Sequence, residues 1–251
     1  MHLSFLGTGS AMPTGERMQT GLLVESDDGE NLLVDCGSGS LHRLAATETG
    51  YEGVDHVLLT HHHLDHVADL LPLMKAKWLA GSETLTVAGP PGTEELVDGL
   101  LSVHDYMQDR LDLTVREIDT GEFEFAGYDI GAMETVHSMY CLAYRLTADG
   151  ATLTFSGDSE ATADIAAFAD GSDVLVHDCS FPDSVDVSNH PTPSQLGAAL
   201  AGHDYGIVYL SHLYPHTDGN HDEMLASLGE HYDGELQFAP EGQTVGVGTE
   251  D

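Results

Sequence analysis

The feature that most constrains this chain is the run His61-His62-His63-Leu64-Asp65-His66, set directly behind an apolar, strand-like stretch at 54–60. Imidazole and carboxylate are the ligand types that suit zinc, and close spacing lets one turn supply several of them. Alternate side chains of an extended segment point the same way, so His61 and His63 can converge on one ion while His62 projects away. Asp65 and His66 fall where the chain curls into a helix, which aims them at a neighbouring position. Such a cluster needs partners from distant segments. The candidates are polar residues at strand ends: His137 behind 133–136, Asp158 behind 152–157 and His212 behind 207–211. Loops at strand ends are where a rigid sheet presents functional groups. Gly157, beside Asp158, permits a close approach to a ligand.

Around the cluster, strand and helix patterns alternate. Strands are expected at 3–7, 21–25 and 31–36, the last two joined through Asp27-Asp28-Gly29, a hairpin signal. Apolar residues recur at helical spacing over 40–49 and over 64–79, the latter read as one helix kinked at Pro72. A strand at 85–88, a helix at 93–106, a strand at 113–118 and strands within 122–136 follow. A second hairpin joins 141–146 to 152–156 around Ala148-Asp149-Gly150. Helix–strand units occupy 161–169, 174–178, 192–201 and 207–210, with a last helix and strand reaching Val247. No linker or charge boundary interrupts the chain, so 1–251 reads as a single domain. Its class is α/β, with two mixed sheets packed together and covered by helices.

Charge bounds the environment. Forty-three Asp and Glu against seven Lys and Arg give a formal charge of −36, spread through nearly every segment. Self-repulsion on that scale destabilises a compact fold in dilute buffer. Molar salt screens it, because the Debye length shrinks to about 3 Å at 1 M. An extremely halophilic protein is expected. Lys and Arg clusters that would neutralise nucleic-acid phosphates are absent. No apolar run approaches the roughly 20 residues that span a bilayer, and no basic-then-apolar leader opens the sequence. A cytoplasmic protein with no membrane partner is expected. Cys36, Cys141 and Cys179 sit in apolar settings and read as small core residues rather than ligands.

The ordered set His61, His63, Asp65, His66, His137, Asp158 and His212 resembles the metallo-β-lactamase superfamily, a four-layer αββα sandwich. The resemblance implies two divalent ions, zinc or alternatively manganese. The first would be held by His61, His63 and His137, the second by Asp65, His66 and His212, with Asp158 bridging. Within the superfamily the chain is most similar to the ribonuclease Z-like branch. Supporting stretches are Gly7-Thr8-Gly9-Ser10-Ala11-Met12-Pro13-Thr14-Gly15-Glu16-Arg17, Leu32-Leu33-Val34-Asp35-Cys36-Gly37-Ser38-Gly39-Ser40, Val176-His177-Asp178-Cys179-Ser180-Phe181 and His190-Pro191-Thr192. By the same resemblance Asp178, where the family has Glu, pairs with His190 to protonate the leaving group. A homodimer is also implied.

The function expected is a dinuclear phosphodiesterase or ribonuclease Z-like enzyme. A water bridging two ions would have its pKa lowered from ~15.7 toward ~7 and attack phosphorus as hydroxide. Asp65 would help orient it. Arg17 is the one cation of the opening loop that offers a phosphate contact. His216, close in sequence to His212, is read first as a surface or packing residue and only second as a pocket residue. Short-type ribonuclease Z enzymes carry a long tRNA-binding arm between the positions of His137 and Asp158. Here that interval holds only the hairpin turning at Asp149-Gly150. A small phosphodiester, such as a cyclic nucleotide or short RNA, is therefore expected ahead of a tRNA precursor. The alternative is a hydrolase of the same fold acting on a lactone, thioester or sulfate ester.

Overall fold

Long apolar runs with little polar alternation predict strands covered on both faces, and the computed structural model, which describes residues 1–248, has that arrangement. Strands β1 (His2–Gly7), β2 (Gly21–Glu25), β3 (Asn31–Val34), β4 (His56–Leu58), β5 (Thr84–Gly89) and β6 (Asp112–Glu117) pair in sequence, with β14 (Thr244–Gly246) flanking β1. The second sheet contains β7 (Gly121–Phe125), β8 (Tyr128–Glu134), β9 (Leu142–Ala148), β10 (Ala151–Phe155), β11 (Val174–Asp178), β12 (Ile207–Ser211) and β13 (Leu236–Phe238), also in sequence order.

Between the sheets lie Leu3, Phe5, Leu22, Val24 and Leu58 from one side and Ile130, Leu142, Tyr144, Leu153 and Val176 from the other. Burying each such side chain contributes about 1.5–3 kcal/mol. The intervening residues Leu23, Leu33, Val57 and Val87 face outward, against α1 (Ser40–Leu44), α3 (Leu70–Ala80) and α4 (Thr93–Val103). On the far face, Leu175, Val208 and Leu210 pack against α5 (Ala163–Ala169), α6 (Pro193–Leu200) and α7 (His221–Gly229). The order of layers is thus αββα. No helix among the described residues is long and apolar enough to cross a membrane.

Strand direction places the site. β3, β4 and β5 run parallel, as do β10, β11 and β12. Two antiparallel steps return β8 to the direction of β10. Within each sheet the loops therefore start from the carboxyl ends of co-directional strands: those behind β3 and β4 carry Asp35 and His61, and those behind β8, β10 and β12 carry His137, Asp158 and His212.

Several expected boundaries move. The helix read over 64–79 is two: α2 (Leu64–Val67) and α3. Pro72 occupies the first turn of α3, where a missing N–H costs nothing, and its ring prevents the helix from continuing back through Ala68. Asp69 at the break turns its carboxylate to the backbone N–H groups of Gly39 (2.8 Å) and Leu41 (3.1 Å), capping α1. The helix expected over 40–49 stops at Leu44, because Thr47 bonds locally to the Leu44 carbonyl and to the Gly50 N–H. The 93–106 helix ends at Val103 and passes into a 3-10 turn over Asp105–Met107.

Candidate metal centre

The turn behind β4 carries His61 and His63, and α2 begins one residue later with Asp65 and His66 on its inner side. His61 and His66 are fully buried, Asp65 nearly so. The loops behind β8, β10 and β12 bring His137, Asp158 and His212 to the same point. His63 Nδ1 lies 3.0 Å from His61 Nε2 and 3.2 Å from His137 Nε2. Asp158 Oδ2 is 3.7 Å from both of those Nε2 atoms. On the other side His212 Nε2 lies 3.2 Å from Asp65 Oδ2 and 3.4 Å from Asp158 Oδ2, and His66 Nε2 lies 3.3 Å from Asp158 Oδ1.

Two adjoining sets of donor atoms result, each gathered within 4.8 Å: His61, His63, His137 and Asp158, and beside them Asp65, His66 and His212; a third, overlapping set joins Asp158, His190 and His212. Three imidazole nitrogens face one point, more than one shared N–H can satisfy, and a cation among them would take all three lone pairs. His66 Nε2 and Asp158 Oδ1, buried and 3.3 Å apart, make no well-directed hydrogen bond to any other group, and buried polar atoms of that kind demand an explanation. Nitrogen and oxygen donors converging in this number fit divalent ions.

The histidine tautomers are set from behind. Asp35, buried at the end of β3, accepts from the Thr60 N–H (2.8 Å), the Thr60 hydroxyl (2.8 Å) and His66 Nδ1–H (2.7 Å). Thr60 Oγ1, its proton committed to Asp35, accepts from His61 Nδ1–H at 3.0 Å. His61 thereby keeps its Nε2 lone pair for the centre, while for His66 burial favours the neutral ring and the flanking carboxylates of Asp158 and Asp35 raise its pKa well above the ordinary histidine value. His212 Nδ1–H donates to Ser180 Oγ (2.9 Å), whose own hydroxyl donates to Asp178 Oδ1 at 2.5 Å. His212 itself has φ 57°. That left-handed conformation costs a non-glycine residue about 1–2 kcal/mol.

Burial, reinforced by neighbouring imidazoles, holds the pKa of His61 well below the usual histidine value and lowers those of His63 and His137. All three are neutral at neutral pH. For Asp158 burial opposes ionisation, yet His212 and His66 hold its pKa well below the carboxylate range. His190 follows the opposite course to those three. Burial would lower its pKa, but Asp178, 2.7 Å from its Nδ1, raises it.

A cavity of about 420 Å³ opens over the centre, lined by Ala11, His63, Leu64, Asp65, His137, Ser138, Asp158, Asn189, His190 and Tyr214. It contains no Lys or Arg.

The family described as Anti-Pycsar protein Apyc1 matches residues 1–244. The chain belongs to this family. A ribonuclease Z from Mycobacterium bovis is 30% identical to this Apyc1-family chain over 256 residues, covering 91% of each. The metallo-β-lactamase fold protein YhfI from Bacillus subtilis superposes with a TM-score of 0.86 at 26% identity, covering 98% of this chain and 99% of its own. Zn²⁺-bound PqqB from Methylobacterium extorquens gives a TM-score of 0.78 over 98% of this chain and 100% of its own, and at 19% identity shares the fold alone. The Apyc1-family chain is thus a ribonuclease Z-like member of the metallo-β-lactamase superfamily.

The structure brings together every residue singled out in the Apyc1-family sequence for the centre, and adds Asp35, Thr60, Ser180, Asn189 and Tyr214. Asp35 had one legible signal, a carboxylate ending the buried stretch Leu32-Leu33-Val34. Other expectations change. Arg17 turns inward, donating to Thr8 Oγ1 (2.6 Å) and the Ala239 carbonyl (3.4 Å), and so pins the opening loop instead of meeting a phosphate. His216 packs on Phe181 at 5.2 Å, the role expected for it ahead of a place in the pocket. His62 does point away, to Thr93 Oγ1 at 2.9 Å. The three cysteines are free and buried.

Proposed function

We propose that this chain is a dinuclear metal-dependent phosphodiesterase of ribonuclease Z-like chemistry. The observation that carries the reading is the pair of adjoining donor sets beside a carboxylate-held histidine, His190 on Asp178. His61, His63, His137 and Asp158 are assigned to one ion, and Asp65, His66, His212 and the shared Asp158 to the other. Zinc suits the imidazole-rich donors best, with manganese as the second candidate. The chemistry such ions supply when bound is Lewis acidity toward a phosphoryl oxygen and a lowered pKa for water.

The remaining tasks belong to side chains. Asp65 lines the cavity and orients the attacking water. His190 carries its proton on Nε2 toward the departing alkoxide, while Asp178 fixes the ring and favours its protonated form. Asp178 reaches His190 at 2.7 Å although it is one methylene shorter than Glu.

A small phosphodiester, a cyclic nucleotide or short RNA, suits this site better than a tRNA precursor. Between His137 and Asp158 the chain makes only β9, β10 and the turn joining them, with no arm to grip a large RNA. The charge of −36 supports a halophilic, cytoplasmic setting. A single domain over 1–251 suits a centre that takes ligands from both sheets. A second copy of the chain is the expected partner, and the exposed Leu79, Val103 and Tyr106 are the surface it would cover.

Turnover of bis-p-nitrophenyl phosphate is the test, run in molar KCl with added Zn²⁺ or Mn²⁺ beside lactone, thioester and aryl sulfate panels. Phosphodiester turnover is expected. Its absence, with another ester hydrolysed, would hand the site to the alternative chemistry.

A further inference from the structure

Tyr214 is held in place by more contacts than a rim residue needs. Its backbone N–H donates to the Ser180 carbonyl (3.3 Å), and its own carbonyl accepts both the N–H and the hydroxyl of Thr217, each at 2.9 Å. Pro215 follows, which restricts Tyr214 to the extended backbone it adopts, φ −78° and ψ 159°. Phe181, itself buried, stacks on the Tyr214 ring at 4.5 Å and 25°. His190 and His212 meet the ring nearly edge-on, at 5.8 Å and 60° and at 5.7 Å and 72°.

These contacts fix the plane of Tyr214 against the wall of the cavity, next to the proton donor and a ligand of the metal centre. Across the same cavity rim stands Leu64, an aliphatic side chain 79% exposed with nothing covering it. The Tyr214 hydroxyl makes no hydrogen bond to another described residue. Rigid aromatic faces beside a catalytic centre bind planar groups by stacking, at little entropic cost because the face is already ordered.

We propose that the ring of Tyr214, backed by Phe181, is the subsite that stacks on the base of a nucleoside whose sugar is esterified to the scissile phosphate, and so sets substrate preference. The proposal rests on the phosphodiesterase reading and adds a specificity determinant to it. Phosphodiesters whose non-leaving group is a nucleoside are favoured over those carrying a simple alkyl group, for the stacking area and not for a hydrogen bond to the phenol.

Two substrates with the same leaving group isolate this effect: thymidine 5′-p-nitrophenyl phosphate and methyl p-nitrophenyl phosphate. The wild-type enzyme is expected to prefer the first in kcat/KM. Tyr214→Leu and Tyr214→Ala are expected to reduce that preference by about tenfold, mostly through KM, as the loss of one stacked pair implies. Tyr214→Phe, which keeps the ring, should retain the preference. Saturation-transfer NMR with thymidine 5′-monophosphate supplies a readout independent of turnover, since its base protons should lose contact in the Leu variant and keep it in the Phe variant. Metal content and melting temperature verify that each variant is folded. An unchanged preference in Tyr214→Leu, or an equal loss in Tyr214→Phe, overturns the subsite. Hydrolysis of neither phosphodiester by the wild-type enzyme overturns the phosphodiesterase reading, and the subsite with it.

Discussion

Asp178 is shared between His190 and the metal centre: its Oδ2 accepts from His190 Nδ1 at 2.7 Å, and its Oδ1 takes the Ser180 hydroxyl that supports His212. One carboxylate therefore orients the proposed proton donor and, through Ser180, a proposed ligand. Asp178→Asn keeps the shape but removes the charge that holds the proton on His190. A kcat loss of about 10²–10⁴-fold is expected, the range for a general acid, with metal stoichiometry unchanged. The loss should be larger for an alkoxide leaving group than for p-nitrophenolate, which departs without help. Equal losses with both would assign His190 a role other than proton donation.

The sign of the pH dependence follows from the same pair. Asp178 raises the pKa of His190 above the ordinary histidine value although burial opposes it. The protonated donor thus persists to higher pH than a free histidine would allow, and kcat should decline on the alkaline side as the proton is lost. Removing the Asp178 charge lowers that pKa, so the alkaline limb in Asp178→Asn should move to lower pH. A limb that stays in place would show that another group titrates there.

Asp35 gives a prediction for metal affinity. It accepts three hydrogen bonds from Thr60 and His66. Asp35→Ala frees the His66 ring and strands the Thr60 N–H. Supporting groups of this kind are worth about 10–100-fold in metal affinity, and a buried donor left unpaired costs about 1–3 kcal/mol. Competition with a chromogenic zinc chelator reads the first effect, and a thermal melt with excess chelator reads the second.

The sequence shows the centre more readily than its support, for a physical reason. Four donors lie within six residues of one turn, and each remaining donor ends a strand, so local pattern suffices to find them. Asp35 acts on partners 25 and 31 positions away, a relationship that appears only once β3 and β4 pair. The break between α2 and α3 was equally hidden. Apolar periodicity runs through 64–79 without interruption, and the competing pull is the tertiary bond from Asp69 to the start of α1. Arg17 was misplaced because an isolated cation in a loop gives no sign of which way it faces. Its carbonyl partner, Ala239, is 222 residues distant.

Charge predicts a salt requirement. Raising KCl from 0.1 M to 1 M shortens the Debye length from about 10 Å to about 3 Å, which screens most repulsion among surface carboxylates on a chain of charge −36. The melting temperature should rise steeply over that interval. Sucrose at matched osmolality, which does not screen charge, should give a smaller gain. A melting temperature independent of KCl would remove the basis for reading the acidity as a halophilic adaptation.

Gly37 gives the sharpest structural prediction, because it separates packing at the metal centre from ligand chemistry. A Cβ on Gly37 would lie 2.0 Å from the Asp65 carbonyl oxygen and 2.8 Å from that of Thr20. Both obstacles are backbone, so no side chain can rotate away. The neighbouring Cys36 N–H is bonded to the His66 carbonyl at 2.7 Å, which ties this turn to the segment bearing Asp65 and His66. Gly37→Ala must therefore push the start of α2 outward and spoil the second donor set while leaving His61, His63 and His137 near their places. Metal analysis should find occupancy falling from two ions per chain toward one, with a lowered melting temperature. Gly99→Ala in α4 is the control, since a Cβ there meets nothing within 4 Å and alanine favours a helix by about 1 kcal/mol. That variant should bind both ions and melt no lower than wild type. Two full ions in Gly37→Ala would mean that α2 is not what positions Asp65 and His66.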